Sequence, residues 1–379
     1  MTGSTPLYNA PALREAFDSQ GLDAIVARSG RNVAYLSGMR FPGTLGRLQD
    51  FAHSARAALV LWPRDAEPRL FVSGIALDLA KRESWFERFT AFTEYQDSPY
   101  LLAARALHDL GLAHGRIGIE RRELGAEHWE SIRSALPRAE LIDCTDLLES
   151  VRNEKTPGEI ALLRQAVEIQ DQAHLEVFSR ASPGDTERQL HARMVGRMLE
   201  LGADSAHGML QSSSTPMTYG GEGDVPIVLG DAVRTDYVSY YQGYAANLSR
   251  MAVMGQPSQE QRYLYAVLLR THRTTIQQTL TAGTPVREIH AFVKQRFEAE
   301  GFVWNKSLVG HSIGIWWHQE EPMFVPHETR ALRATMVVCL EPILEDFWHL
   351  QDQVLVTEDG PELMSSAFDT SALFVMGDG

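Results

Sequence analysis

Through residues 1–150, short apolar runs alternate with segments of helical spacing. Residues 24–27, 58–62, 70–73 and 117–119 are near-continuous apolar runs and predict strands, whereas 100–112 and 127–136 predict helices. That alternation predicts an α/β domain. After Asn153 the texture changes. Thr156-Pro157-Gly158-Glu159 joins three helix-start signals: a Thr cap, a Pro in the first turn, and a Glu three residues beyond the cap. Ile160, Leu163 and Val167 then mark one apolar face. A domain boundary near residue 151 follows, dividing the chain into 1–150 and 151–379 with no Gly/Ser- or Pro-rich linker.

The second part repeats a rhythm. Thr186 and Gln189 form a second capping box, and that helix stops near Gly202 before strand-like residues. Ser258 and Gln261 open a third helix, and Thr284-Pro285 a fourth that ends near Gly301, again before strands. Two helices and then strands, twice over, predict an internally duplicated α+β domain without a sequence repeat.

At 379 residues the chain has room for two domains with sizeable cores. A net charge of −14 argues against a nucleic-acid partner, which calls for a basic stripe. No apolar run has the length of a membrane span, and the N-terminus lacks a basic region followed by an apolar core. The expectation is a soluble, cytoplasmic protein with a small-molecule substrate, neither nucleic-acid- nor membrane-bound. Cys144 and Cys339 form no CxxC unit and read as reduced core thiols.

Residues 232–254 contain two strand-like runs around Gln242-Gly243. If that dipeptide is a two-residue hairpin loop, Asp236 faces Ser249 and Asn247 lies two residues along on the same sheet face. An acid and an amide then point from one face together.

This segment resembles the first signature of the creatinase, prolidase, aminopeptidase P and methionine aminopeptidase superfamily, with Gly243-Tyr244 seven residues after Asp236 and Asn247 eleven after it. Val309-Gly310-His311-Ser312-Ile313-Gly314 followed by His318 resembles the family's histidine signature; Cys339-Leu340-Glu341-Pro342 and His349-Leu350-Gln351-Asp352 resemble its last two. Asn32 to Gly38 and Arg152 to Glu159 are similar to the N-terminal domain and the helix that follows it. The resemblance implies an α+β pita-bread catalytic domain preceded by a smaller α/β creatinase-type domain, and a homodimer.

The family's metallopeptidases hold two divalent ions on two Asp, one His and two Glu. The matching positions here are Asp236, Asn247, His311, Glu341 and Gln351. By the family's geometry, the two that have become amides are the bridging ligands. An amide offers one neutral oxygen and an NH₂ that repels a cation, whereas hard ions prefer anionic oxygen. The expectation is therefore no metal cofactor, with one ion on Asp236, His311 and Glu341 as the alternative. A second departure is that no histidine stands in the window 211–221, where the family's peptidases and creatinase carry one; Tyr219 or Thr218 lies nearest.

His311, His318 and Glu341 are then the proton-transfer candidates. Asp236, Asn247, Gln351, Tyr219 and Trp317 are the substrate-contact candidates. The resemblance to creatinase-like dimers implies an arginine of the N-terminal segment that grips a substrate carboxylate; Arg40, Arg47 and Arg56 are the candidates, Arg47 being the one carried forward. Trp316, Trp317, Phe324, Phe347 and Trp348 read either as core or as an aromatic wall. The leading expectation is a creatinase-like hydrolase of a C–N bond in a small amino-acid-like molecule. The alternatives are an Xaa-Pro peptidase-type metallohydrolase, a lyase of the dimethylsulfoniopropionate-cleaving type, and a non-catalytic binding protein.

Overall fold

The computed structural model describes residues 6–40, 56–214, 222–316 and 318–377. The chain divides into two compact units, Met1–Arg152 and Asn153–Gly379.

In the first unit, six strands form one mixed sheet: β1 (Ala24–Ala27), β2 (Leu59–Pro63), β3 (Arg69–Ser73), β4 (Arg88–Phe92), β5 (Arg116–Ile119) and β6 (Glu140–Asp143), in the order β4-β3-β2-β1-β5-β6. The apolar runs become strands because both of their faces are covered. Val26, Leu59, Phe71, Ile117 and Ile119 are buried together with Tyr100 and Leu107 of the helix Pro99–Asp109 and Ile132 of the helix Ala126–Ala135. Ser98 caps the first of these helices, with Pro99 in its first turn. Gly118 is needed on β5, since a Cβ there would fall 3.0 Å from Leu22 and 3.1 Å from Cys144.

The second unit begins with the helix Pro157–Ser179, whose capping box pairs Thr156 with Glu159. The helix Glu187–Glu200 follows with its own box at Thr186 and Gln189, and then β7 (Ser205–Ser212), β8 (Ala232–Tyr241), β9 (Tyr244–Leu248) and β10 (Met251–Met254). The helix Gln259–Thr279, boxed by Ser258 and Gln261, and the helix Val286–Ala299 open the second half. After them come β11 (Gly310–Ser312), β12 (Glu320–Met323), β13 (Val337–Leu340), β14 (Ile343–Leu344), β15 (Trp348–His349), β16 (Asp352–Thr357), β17 (Gly360–Leu363) and β18 (Phe374–Met376). Two helices then strands, twice over, is the order the caps predict. One sheet runs β18-β10-β8-β7 with β9 on β8, and the other β12-β11-β13-β16-β17. This is the pita-bread architecture.

Thr284 does not cap the fourth helix. Pro285 holds the cap position without a side-chain bond, and the Thr284 hydroxyl pairs with Thr281 at 3.0 Å. The five-aromatic group also resolves in part to core: Phe324 and Trp348 are buried with Trp304 and Leu344, and Phe347 packs against them. Both cysteines are buried free thiols. No helix among the described residues is long and apolar enough to cross a membrane.

Candidate functional site

The β8–β9 hairpin turns at Gln242 (φ 49°) and Gly243 (φ 81°), two left-handed residues that suit a two-residue loop. Tyr241 then pairs with Tyr244, and Val238 with Asn247. Asp236 and Val238 share a face, so Asn247 arrives beside Asp236 and donates to its Oδ1 at 3.0 Å. The hairpin arithmetic needs only the loop; the contact needs the pleat.

Three other elements close on this face. His311 comes from β11 and pairs with Cys339 of β13, which ends just before Glu341. Gln351 precedes β16 and bridges to Ser249. Its Nε2 donates to Asn247 Oδ1 at 2.9 Å and lies 3.4 Å from His311 Nε2, while Ser249 Oγ donates to its Oε1 at 3.2 Å. His311 Nδ1 lies 2.9 Å from the Ser312 carbonyl, a contact that puts the proton on Nδ1 and leaves the Nε2 lone pair facing the site. Glu341 Oε1 stands 3.8 Å from that nitrogen and has no hydrogen-bond partner.

Burial governs the charges. It raises the Glu341 carboxyl well above the usual carboxylate range, and Asp236 adds to the shift. Asp236 is also raised by burial, with the Asn247 bond and Arg234 acting against it. Burial lowers His311 to about 4, against the Ser312 bond. Two desolvated acids beside a neutral imidazole make a place short of positive charge.

His318 joins the group although seven residues separate it from His311. The chain breaks between β11 and β12, with Trp316 at φ 54°, and the two imidazole rings meet edge-on at 6.0 Å. Burial, then His311 and His207, lowers His318 to about 3. The structure thus brings together Asp236, Asn247, His311, His318, Glu341 and Gln351. Tyr219, Trp317 and Arg47 lie outside the described residues, whereas Arg40 offers its backbone N–H to Glu83.

Sequence reasoning passed over two neighbours, His349 and Arg234, and set aside a third, His207, as too far upstream to match the family's histidine. His349 Nε2 lies 3.9 Å from Glu341 Oε2, and its place two residues before Gln351 was the available signal. Arg234 lies on the Asp236 face, held by Gln211 Oε1 at 2.7 Å. His207 stands on β7 with its ring 6.1 Å from that of His318.

The donor set fits one cation and not a bridged pair. Bridging would require anionic oxygens at 247 and 351, yet both positions turn an NH₂ toward the other donors. Asp236, His311 and Glu341 retain ligand chemistry for a single divalent ion. Asp236 Oδ1 is engaged by Asn247, and among the described residues no three-donor cluster stands preformed.

Comparison with known proteins bears on the same residues. Residues 161–358 match the model of metallopeptidase family M24, and residues 11–153 that of the creatinase/prolidase N-terminal domain. An Xaa-Pro dipeptidase of Pyrococcus horikoshii is 24% identical over 93% of this chain and 95% of its own, and the peptidase YqhT of Bacillus subtilis is 24% identical over 92% and 95%. The X-Pro aminopeptidase of Thermotoga maritima superposes with a TM-score of 0.81 at 20% identity, over 97% of this chain and 99% of its own. At that identity the structural likeness speaks for the fold alone. The metallopeptidase match overturns the expectation of a chain without a metal cofactor. That expectation weighed the two amides and gave too little weight to the three donors left around a cation-poor pocket.

Proposed function

This chain belongs to metallopeptidase family M24, and from that premise we propose that it hydrolyses the C–N bond of a small dipeptide of the Xaa-Pro class, with one divalent ion held by Asp236, His311 and Glu341. The observation that carries the reading is the pairing of two half-buried, desolvated acids with the outward Nε2 of His311. An ion there would supply Lewis-acid polarisation of the scissile carbonyl. That relatives are Xaa-Pro dipeptidases supports this substrate class over the creatinase-like one.

The chain's own residues divide the remaining work. Asn247 and Gln351 form a fixed amide relay that orients Asp236. We assign His318, whose ring meets that of His311 edge-on at 6.0 Å, to proton transfer: held neutral by burial, it would take a proton from the attacking water and pass it to the leaving amine. Arg47, Tyr219 and Trp317 remain candidates for gripping the substrate, and a cytoplasmic homodimer remains the expected state.

A second reading, an amidinohydrolase of the creatinase type, is favoured by one feature: amides stand at two positions, 247 and 351, where the metallopeptidases carry carboxylate ligands. Elemental analysis of protein purified without chelators, together with an Xaa-Pro dipeptide assay, separates the two. One ion per chain and chelator-sensitive cleavage support the proposal. Cleavage of guanidino compounds alone, unaffected by chelation, overturns it.

A further inference from the structure

Behind the segment that carries His318 lies a second buried charge cluster. Lys155, Glu159 and Glu320 are 3%, 1% and 4% exposed. Lys155 Nζ stands 3.6 Å from Glu320 Oε2, and the Lys155 backbone N–H is tied to the Thr335 carbonyl at 3.1 Å. Glu159 Oε2 accepts from the Thr156 N–H at 2.8 Å, and Glu159 Oε1 accepts from the Tyr244 hydroxyl at 3.3 Å.

Both ends of this cluster touch the 312–320 segment. The Glu320 carboxylate tucks beneath Gly314 so closely that a Cβ there would fall 2.4 Å from its Oε2. Tyr244, the residue that binds Glu159, bridges to Ile315. On either side of that bridge, Ala245 N–H donates to the Gly314 carbonyl at 3.0 Å and Trp316 N–H to the Gly243 carbonyl at 2.7 Å. The segment is therefore strapped to the β8–β9 hairpin from above and braced by Glu320 from below.

We infer that Lys155, Glu159 and Glu320 are positioning residues that set how firmly this segment is held, and that one proton on Glu159 switches its hold. One lysine serves two buried carboxylates. When Glu159 carries a proton, it no longer competes with Glu320 for Lys155, and its O–H can bond the Tyr244 hydroxyl. When Glu159 is ionised, a second buried negative charge competes for Lys155 and repels Glu320. Burial is the main cause of a Glu159 carboxyl raised to about 7; the Thr156 N–H and Lys155 oppose it, and Glu320 adds to it. The protonated form thus belongs to the closed segment. Its extra hold is complete below the ordinary carboxyl range near 4.5 and is lost as pH rises through about 7. The inference concerns the segment's placement and stands apart from the identity of the substrate.

Hydrogen exchange of the peptide spanning 312–320 tests it in the full-length protein. Rates are corrected for intrinsic chemistry and referred to a peptide from the helix Val286–Ala299. The expected result is about tenfold less protection at pH 7.5 than at pH 5.5. Glu159→Gln, which keeps the shape and the cap, is expected to show no such drop. Lys155→Arg is expected to keep the wild-type profile, and Lys155→Met to lose protection at both pH values. Equal protection at the two pH values in the wild type overturns the inference, as does an unchanged drop in Glu159→Gln. Because the glutamine variant is nearly isosteric, the test survives a Lys155→Met chain that fails to fold.

Discussion

Gln351 donates its side-chain amide to Asn247 Oδ1 at 2.9 Å, and that bond decides which way the Asn247 amide points. With its oxygen engaged, Asn247 presents its NH₂ to Asp236 and to the Tyr237 carbonyl, each at 3.0 Å. Two residues that would repel each other as carboxylates instead form a directed chain.

Reversing the chain should change the ion count. Asn247→Asp with Gln351→Glu doubles the carboxylates among the five positions, which then carry the family's ligand set. Without ions, the crowded acids should lower the melting temperature, and manganese or zinc should restore it. Titration calorimetry should register a second ion per chain; no gain in binding would refute the placement of these positions.

His318 lies beside the donor residues and is not counted among them. His318→Ala should therefore reduce kcat by about 10²-fold or more and change KM by only a few-fold. Steady-state kinetics on an Xaa-Pro dipeptide distinguish this from equal losses in both constants, which would make His318 a binding residue.

Arg250 underpins the site from the core. Fully buried, it contacts Asp171 at 2.7 Å and Asp352 at 2.9 Å, and donates to the Gln351 carbonyl at 2.7 Å. Burial pushes the Asp352 carboxyl up, but Arg250 and His272 outweigh it and hold it below its ordinary range. Arg250→Leu strands two carboxylates and should cost about 3–5 kcal/mol in urea unfolding. Asp171→Asn, which keeps the hydrogen-bonding shape, should cost clearly less.

Acid should destabilise the protein well before its surface carboxylates titrate. Burial, aided by Arg250 and opposed by the Gln170 carbonyl, lowers His174 to about 3. Burial also lowers His272 to about 4, with Asp352 acting against it. Unfolded, each takes a proton near pH 6.5, so between that pH and the folded value the unfolded chain binds more protons and stability falls with falling pH. For His272 the full shift is on the order of 3 kcal/mol. The raised carboxyls act in the opposite sense, so the comparison is between chains: the urea midpoint of the wild type should lose more between pH 7.5 and 5 than that of His174→Gln, and equal losses would contradict the burial of this ring.

Much of this was open to reading along the chain. The capping boxes at Thr156, Thr186 and Ser258 are local, since each needs only a hydroxyl and a Glu or Gln three residues on. The meeting of Asp236 with Asn247 was equally legible, because a two-residue turn and a period of two determine it. The pairing of His349 with Glu341, and of Lys155 and Glu159 with Glu320, was not. Their partners lie 8, 165 and 161 positions away or are separated by whole elements, and no local spacing encodes which buried charges will face each other.

The sequence by itself determined the two-domain order, the helix starts, the hairpin and the five positions of the candidate site, since period, caps and signature spacing act over a few residues. Only the tertiary structure decided the direction of the amides, the tautomer of His311, the approach of His318 across a broken strand, and the direction in which each acid's affinity for a proton shifts. Those depend on desolvation and on contacts between strands remote in sequence, and both arise only once the sheets have closed around them.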